Sequence, residues 1–199
     1  MHSDDNCEKP LDSKQKAILD AAFEAFRLYG FRRTSMEDIA KGSGMSRAAL
    51  YLHYRNKEDI FGSLVQYYYD QASAQVQVIL NAGRSPEDTL IAGFEAQTGP
   101  VFLAMIDSPH GRELMDTKSV ASAEIAKVGE ARLVKLYADW LEREEAAGRI
   151  DLTSLGRPTE VSQLIQHAFY GVKNVVTDSQ QLRQSTKSLG RMLGIALAA

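Results

Sequence analysis

Residues 34–54 read TSMEDIAKGSGMSRAALYLHY, and this stretch decides how the chain is read. Thr34 is followed three residues later by Glu37, a spacing at which each side chain can satisfy an orphan amide of a first helical turn. That predicts a helix from about Ser35 to Gly42. The run Gly42-Ser43-Gly44-Met45 ends it, because glycine reaches left-handed dihedrals without a Cβ clash. Ser46 then offers a cap for a short helix from Arg47 to about His53. Leu50 is the one clear inward anchor of that second helix. Its first turn carries Ser46, Arg47, Ala48 and Ala49, where small side chains allow close approach to base edges and Arg47 can donate two hydrogen bonds to guanine. Tyr51 and His53 extend outward with groups that reach phosphates, and Lys57 adds charge beside the amides of the next helix N-terminus. Thr34 and Ser35 are placed to bond the opposite phosphate wall. Two helices joined by a glycine turn, with this face, suit either a solvated packing unit or a reader of double-stranded DNA, and the ordered whole of the surrounding sequence decides for the latter.

The charge distribution agrees. From Arg27 to Lys57 there are seven basic side chains against two acidic ones, Glu37 and Asp38, a local +5 on a chain whose net charge is −3. Positive potential is therefore confined to one end.

Helical spacing recurs on both sides of the motif, while strand signals are scarce. Upstream, residues 13–29 form a broad apolar stripe of Ile18, Leu19, Ala22, Phe23, Ala25, Phe26 and Tyr29, closed by Gly30. Downstream, Asn56 caps a long helix from Lys57 to about Asn81, with Ile60, Leu64, Tyr67 or Tyr68, Gln71 and Val78 roughly in register. Ser85-Pro86 and Ser108-Pro109 pair a capping serine with a proline suited to a first helical position. They predict helices over 86–106 and 109–117. Further helices are expected over 121–147, 158–177 and 179–197. The fold class is thus all-α with about nine helices: a flexible tail over 1–12, a DNA-binding head over 13–58, and a helical effector-binding and dimerisation domain over 59–199.

The segment from residue 16, KAILDAAFEAFRLYGFRRTSMEDIAKGSGMSRAALYLHYRNKEDIF, resembles the N-terminal domain of the TetR family of bacterial transcriptional regulators. The matching positions are Ile18, Ala21 or Ala22, Phe26, Gly30, Phe31, Thr34, Ile39, Ala40, Gly44, Met45-Ser46, Leu50-Tyr51, Tyr54 and Lys57-Glu58. The resemblance implies that Thr34 binds phosphate at the start of helix 2 and that Tyr51, His53 and Lys57 clamp the backbone. Arg47, Ala48 and Ala49 fall where the family chooses its operator. Glu37 departs from members that carry a base-contacting basic residue there, and is read instead as the capping partner of Thr34. The resemblance also implies a homodimer on a palindromic operator, a ligand cavity framed by helices 4 to 8, a dimer made by the last two helices, and release of a repressor by a small molecule.

Segment 161–176 supports the dimer independently, since its apolar residues spread around most of the helix and both faces need partners. The expected interface comprises Leu164, Ile165, Ala168, Phe169, Val172 and Val176, with Leu189, Met192 and Leu193 from the last helix. For the effector, the inward-facing polar and aromatic candidates are Phe94, Gln97, Phe102, Met105, Met115, Tyr137, Trp140, His167 and Tyr170. Such a lining favours a largely apolar effector.

Other classes are disfavoured. The four histidines, His2, His53, His110 and His167, are scattered, and no HExxH, P-loop or GxSxG pattern appears, so neither enzyme chemistry nor a cofactor or metal is expected. A single cysteine, Cys7, excludes an internal disulfide. There is no apolar run of the roughly 20 residues needed to span a membrane, and residues 1–13 lack the basic-then-apolar order of a signal peptide. A cytoplasmic location is the expectation.

Overall fold

The computed structural model describes residues 12–116 and 120–198, so the tail with Cys7 and His2 lies outside the described residues. Among the described residues ten helices follow one another: α1 (Ser13–Tyr29), α2 (Met36–Gly42), α3 (Arg47–His53), α4 (Lys57–Leu80), α5 (Pro86–Gln97), α6 (Pro100–Ile106), α7 (Gly111–Asp116), α8 (Val120–Ala146), α9 (Pro158–Val175) and α10 (Ser179–Leu197). The pairing of extended backbone among the described residues is an isolated bridge between Ile150 and Ala198.

Helices α1 to α3 close on the start of α4 around Ile18, Leu19, Ala22, Phe26, Ile39, Ala40, Leu50, Tyr54 and Ile60. The rings of Phe26, Phe31 and Phe61 stand 5.1–5.9 Å apart and tie α1, the turn after it and α4 together. Aromatic pairs at this spacing add about 0.5–1.5 kcal/mol beyond area burial. A larger core fills the body, built on Tyr69, Val76 and Leu80 of α4, Leu90 and Phe94 of α5, Tyr137 and Trp140 of α8, and Ile165 and Phe169 of α9. Helix α4, about 36 Å long at 1.5 Å per residue, thus lends roughly its first three turns, through Ile60, Phe61, Leu64 and Tyr67, to the head and its remainder to the body. Its buried register is Ile60, Tyr69, Ala72, Val76 and Leu80, whereas Gln71 and Val78, expected in the stripe, are exposed.

Two close approaches hold the body. A Cβ on Gly194 would run into the α5 backbone at Glu87, and one on Gly190 would lie 3.0 Å from the Ile91 amide nitrogen, so α10 and α5 touch at backbone distance.

The helix expected over 86–106 is two helices. Thr98 caps α5 with its amide on the Phe94 and Glu95 carbonyls, Gly99 is extended, and Pro100 opens α6 at a bend of 64°. Pro100 has no amide to continue the ladder and excludes the helical region at Gly99. Among the described residues no single helix is long and apolar enough to cross a membrane.

The cap of α2 also differs from expectation. Ser35, not Thr34, is the N-cap; its Oγ accepts from the Asp38 amide while the Asp38 carboxylate accepts from the Ser35 amide. Glu37 is consequently exposed and caps nothing.

Candidate nucleic-acid interface

Helix α3 owes its placement to three sequence features. Gly44, at φ +68°, turns the chain after α2, and the Met45 amide returns to the Ala40 carbonyl at 2.9 Å. The Ser46 Oγ accepts from the Ala49 amide at 3.1 Å and starts the helix. Leu50, fully buried, pins it to the head core. Everything else on α3 then faces outward: Arg47, Ala48, Tyr51, Leu52 and His53 are exposed and Ala49 half-buried. The guanidinium of Arg47 lies 5.6 Å from the Tyr51 ring centroid, and its Nη2 is 3.5 Å from the Tyr51 hydroxyl. The pair forms one planar-faced unit beside the two small residues.

Ser35 is exposed, but its hydroxyl donates to the Asp38 carboxylate at 2.6 Å, a bond that keeps the Asp38 carboxyl below its ordinary value. Thr34 does not face solvent. It is 2% exposed, and its hydroxyl donates inward to the carbonyls of Gly30 at 2.8 Å and Ala25 at 3.2 Å. Its side chain therefore braces the turn after α1, and its donor is already spent.

Lys57 is likewise occupied. Its ammonium donates to the carbonyls of Phe31 at 2.7 Å, Thr34 at 2.9 Å and Arg32 at 3.0 Å, and stands 4.8 Å over the Phe31 ring. A lysine has three N–H donors. All three close the loop between α1 and α2 onto the start of α4.

The same loop is gripped from the body. The Glu113 carboxylate of α7 accepts from the Arg32 amide at 3.1 Å and lies 3.3 Å from Nδ1 of His110. The Arg32 amide holds the Glu113 carboxyl below its ordinary value of 4.5. Leu114, the next residue, is buried in the head core.

The residues expected to meet an effector divide. Phe94, Gln97, Phe102, Tyr137 and Trp140 are buried, and Met105, Met115 and Tyr170 are half-buried. Phe94 stacks on Phe169 at 4.8 Å, and Gln97 donates to the Tyr137 hydroxyl at 3.1 Å. His167 is corrected: it is exposed on the outer side of α9, because the inward face of that helix is Val161, Ser162, Ile165, Gln166, Phe169 and Lys173.

That inward face also corrects part of the expected dimer surface. Ile165, Phe169 and Val176 are at most 7% exposed and belong to the protomer's own core. Leu189 and Leu193 pack partly against the same core, Val172 packs beside α6, and Ala168 is half-buried. What remains outward on α9 is Leu164 at 64% and Val175 at 77% exposed, and on α10 Met192 at 67% and Ile195 at 66%. Ile195 and Val175 were not among the expected interface residues. For Val175 the signal was the spacing 164, 168, 171, 175, one face of α9, and for Ile195 its place three residues after Met192 on α10.

Comparison with known proteins gives the setting. The pattern described as "Bacterial regulatory proteins, tetR family" matches residues 18–64. The uncharacterized HTH-type transcriptional regulator YuxN of Bacillus subtilis is 33% identical over 76 residues, 38% of this chain and 26% of that protein. YerO, another uncharacterized HTH-type transcriptional regulator of Bacillus subtilis, is 24% identical over 176 residues, 83% of this chain and 60% of that protein. The chain thus spans between about a quarter and three fifths of the length of these curated relatives. The crystal structure of a transcriptional regulator from Cytophaga hutchinsonii superposes with a TM-score of 0.75 at 18% identity, covering 94% of this chain and 100% of that one, which speaks for the fold. The helix-turn-helix head thus lies in the stretch that matches the tetR family of bacterial regulatory proteins, and the ten helices among the described residues share the fold of the Cytophaga hutchinsonii regulator.

Proposed function

We propose that the protein is a DNA-binding transcriptional regulator that acts as a homodimeric repressor and is released by a small-molecule effector. The observation that carries this reading is the first turn of α3, where Arg47 and Ala48 stand exposed and Ala49 half-buried on the outside of a closed helix-turn-helix. Arg47 reads base edges, and the two alanines let the helix approach them. Ser46, Tyr51 and His53 meet the phosphates around that helix, whereas Ser35 has both its donors on the Asp38 carboxylate. Thr34 and Lys57 act one step back, by fixing the loop from which α2 starts.

A second copy covers Leu164, Val175, Met192 and Ile195. Four large apolar side chains at 64–77% exposure on two adjacent helices support a self-complementary, two-fold contact. Such a dimer sets two copies of α3 about one DNA turn, roughly 34 Å, apart on a palindromic site.

Fluorescence-polarisation titration against fragments of the promoter region upstream of the protein's own gene tests the reading. A protected, palindromic site bound well above random DNA is expected, with Arg47→Ala reducing that preference. Equal losses on operator and random DNA for Arg47→Ala would contradict the base-reading role. Failure to bind any fragment above random DNA would overturn the function.

A further inference from the structure

Lys173 lies on the inward face of α9 and is 6% exposed, yet among the described residues it has no carboxylate at ion-pair distance. Its ammonium makes one hydrogen bond, to the Tyr68 hydroxyl at 3.0 Å, which in turn donates to the Gln97 carbonyl at 2.5 Å. Four rings surround it: Phe102 at 4.0 Å, Tyr68 at 5.2 Å, Phe169 at 5.4 Å and Tyr170 at 5.6 Å. Aromatic faces offset part of the cost of burying a cation, but they are weak acceptors for its remaining N–H protons. Two turns earlier on the same face, Gln166 is wholly buried with both amide atoms unpartnered, and Gln97 Oε1 is unpartnered as well. The spare N–H groups of the Lys173 ammonium and of Gln166 Nε2, on one face of α9, ask for an acceptor that carries negative charge, while the two amide oxygens are left to accept from a polar group of the same guest.

The surroundings define the rest of the ligand. The ammonium sits where the body core meets a second apolar cluster of Phe102, Leu103, Ile106, Val176 and Leu182. Half-buried Met105 and Met115 flank that cluster. Methionine side chains repack readily around a guest. Resting on the reading of the protein as an effector-released regulator, we propose that the effector is an organic carboxylate with an apolar body, its carboxylate paired to Lys173 and its body laid among these rings and methionines.

The test uses octanoate, dodecanoate and naphthoate, each against its uncharged alcohol, with the full chain in isothermal titration and thermal unfolding. At least one acid is expected to bind saturably and at least about tenfold more tightly than its alcohol. Lys173→Met should remove that preference, roughly a ten- to hundredfold loss for the acid as expected for a charge-assisted hydrogen bond, with the alcohol unchanged. Lys173→Gln serves as the second variant, and retained operator binding certifies that both variants fold. No saturable acid binding, acids no better than alcohols, or a preference that survives both substitutions would overturn the assignment. An unmutated chain that binds operator but shows no acid preference sinks this inference alone; one that binds no DNA sinks the regulator reading instead.

Discussion

Lys57→Met separates two roles that look alike in the sequence. Methionine keeps a similar stem over Phe31 and deletes the donors to the carbonyls of residues 31, 32 and 34. Hydrogen bonds to charged groups contribute about 1.5–3 kcal/mol each. Lys57 is half-buried, so water recovers much of that at the freed carbonyls, and the set is worth roughly 2 kcal/mol in all. In a chain of this size each kcal/mol moves Tm by about 2–4 °C, which gives a fall of about 4–8 °C. A lysine that instead neutralises a phosphate would leave Tm alone. It would flatten the salt dependence of DNA affinity by about 0.9 in log-log slope per subunit, near 1.8 for a dimer. Thermal unfolding and operator titrations across a salt series measure both. The structure demands a lower Tm with an unchanged slope. An unchanged Tm with a slope reduced by about 1.8 would refute the assignment of Lys57 to the loop.

Three other perturbations test separate parts of the molecule. Leu164→Glu places a charge on the outward apolar face; losing about 1.5–3 kcal/mol at each of two symmetric sites should raise the dimer dissociation constant by roughly a hundredfold or more, read by sedimentation, and an unaltered constant would move the interface elsewhere. Gly194→Val must push the α5 backbone at Glu87 aside, an overpacking expected to cost about 1–3 kcal/mol, visible as a lower Tm; a neutral result would mean that α10 and α5 slide freely. Because the Glu113 carboxyl is held below 4.5 in the fold, its contribution is present above that value and is lost as pH falls through the folded value. Amide exchange around Arg32 should therefore quicken on acidification below about pH 4.5, and Glu113→Gln should blunt that change; the same acid response in both chains would remove Glu113 from the head-to-body contact.

The helix-turn-helix was legible because its parts are local. Gly44, the Ser46 cap and the Leu50 anchor act within a few residues of one another, and each stands where the spacing put it. Thr34/Glu37 and Ser35/Asp38 have identical spacing, and only the burial of Thr34 under the end of α1 decides between them. Lys57 shows the same limit: an exposed-looking lysine at a helix start reads as a phosphate ligand until the carbonyls of a loop more than twenty residues upstream close around it. In α9, apolar residues on every side announced two partners without saying which face met which. Ile165 and Phe169 went to the protomer's own core, leaving Leu164 and Val175 outside. Nothing in the sequence around Lys173 singles it out beyond its register with Gln166 and Phe169, and only the surrounding rings from α4, α6 and α9 give that register meaning.

Those same contacts bear on how a ligand would act on the outward face of α3. Phe102, the ring nearest the Lys173 ammonium, lies on α6, and Met105, one turn on, packs against both the neighbouring apolar cluster and the head core. Helix α7 follows, with Arg112 donating to the Asn174 carbonyl beside Lys173, Glu113 accepting from the Arg32 amide, and Leu114 inside the head core. An anion at Lys173 that displaces Phe102 would therefore strain the grip on the loop before α2, which Lys57 also holds to the start of α4. The coupling is expected to be about 1–3 kcal/mol, a 5- to 150-fold change in affinity, and it must be reciprocal. Saturating carboxylate should weaken operator binding by the same factor by which operator weakens carboxylate binding. Glu113→Gln should shrink both factors together while leaving the carboxylate affinity of the DNA-free protein unchanged. If Glu113→Gln left both factors intact, the signal would have to travel through α4 alone, and the α6–α7 contacts would be only packing.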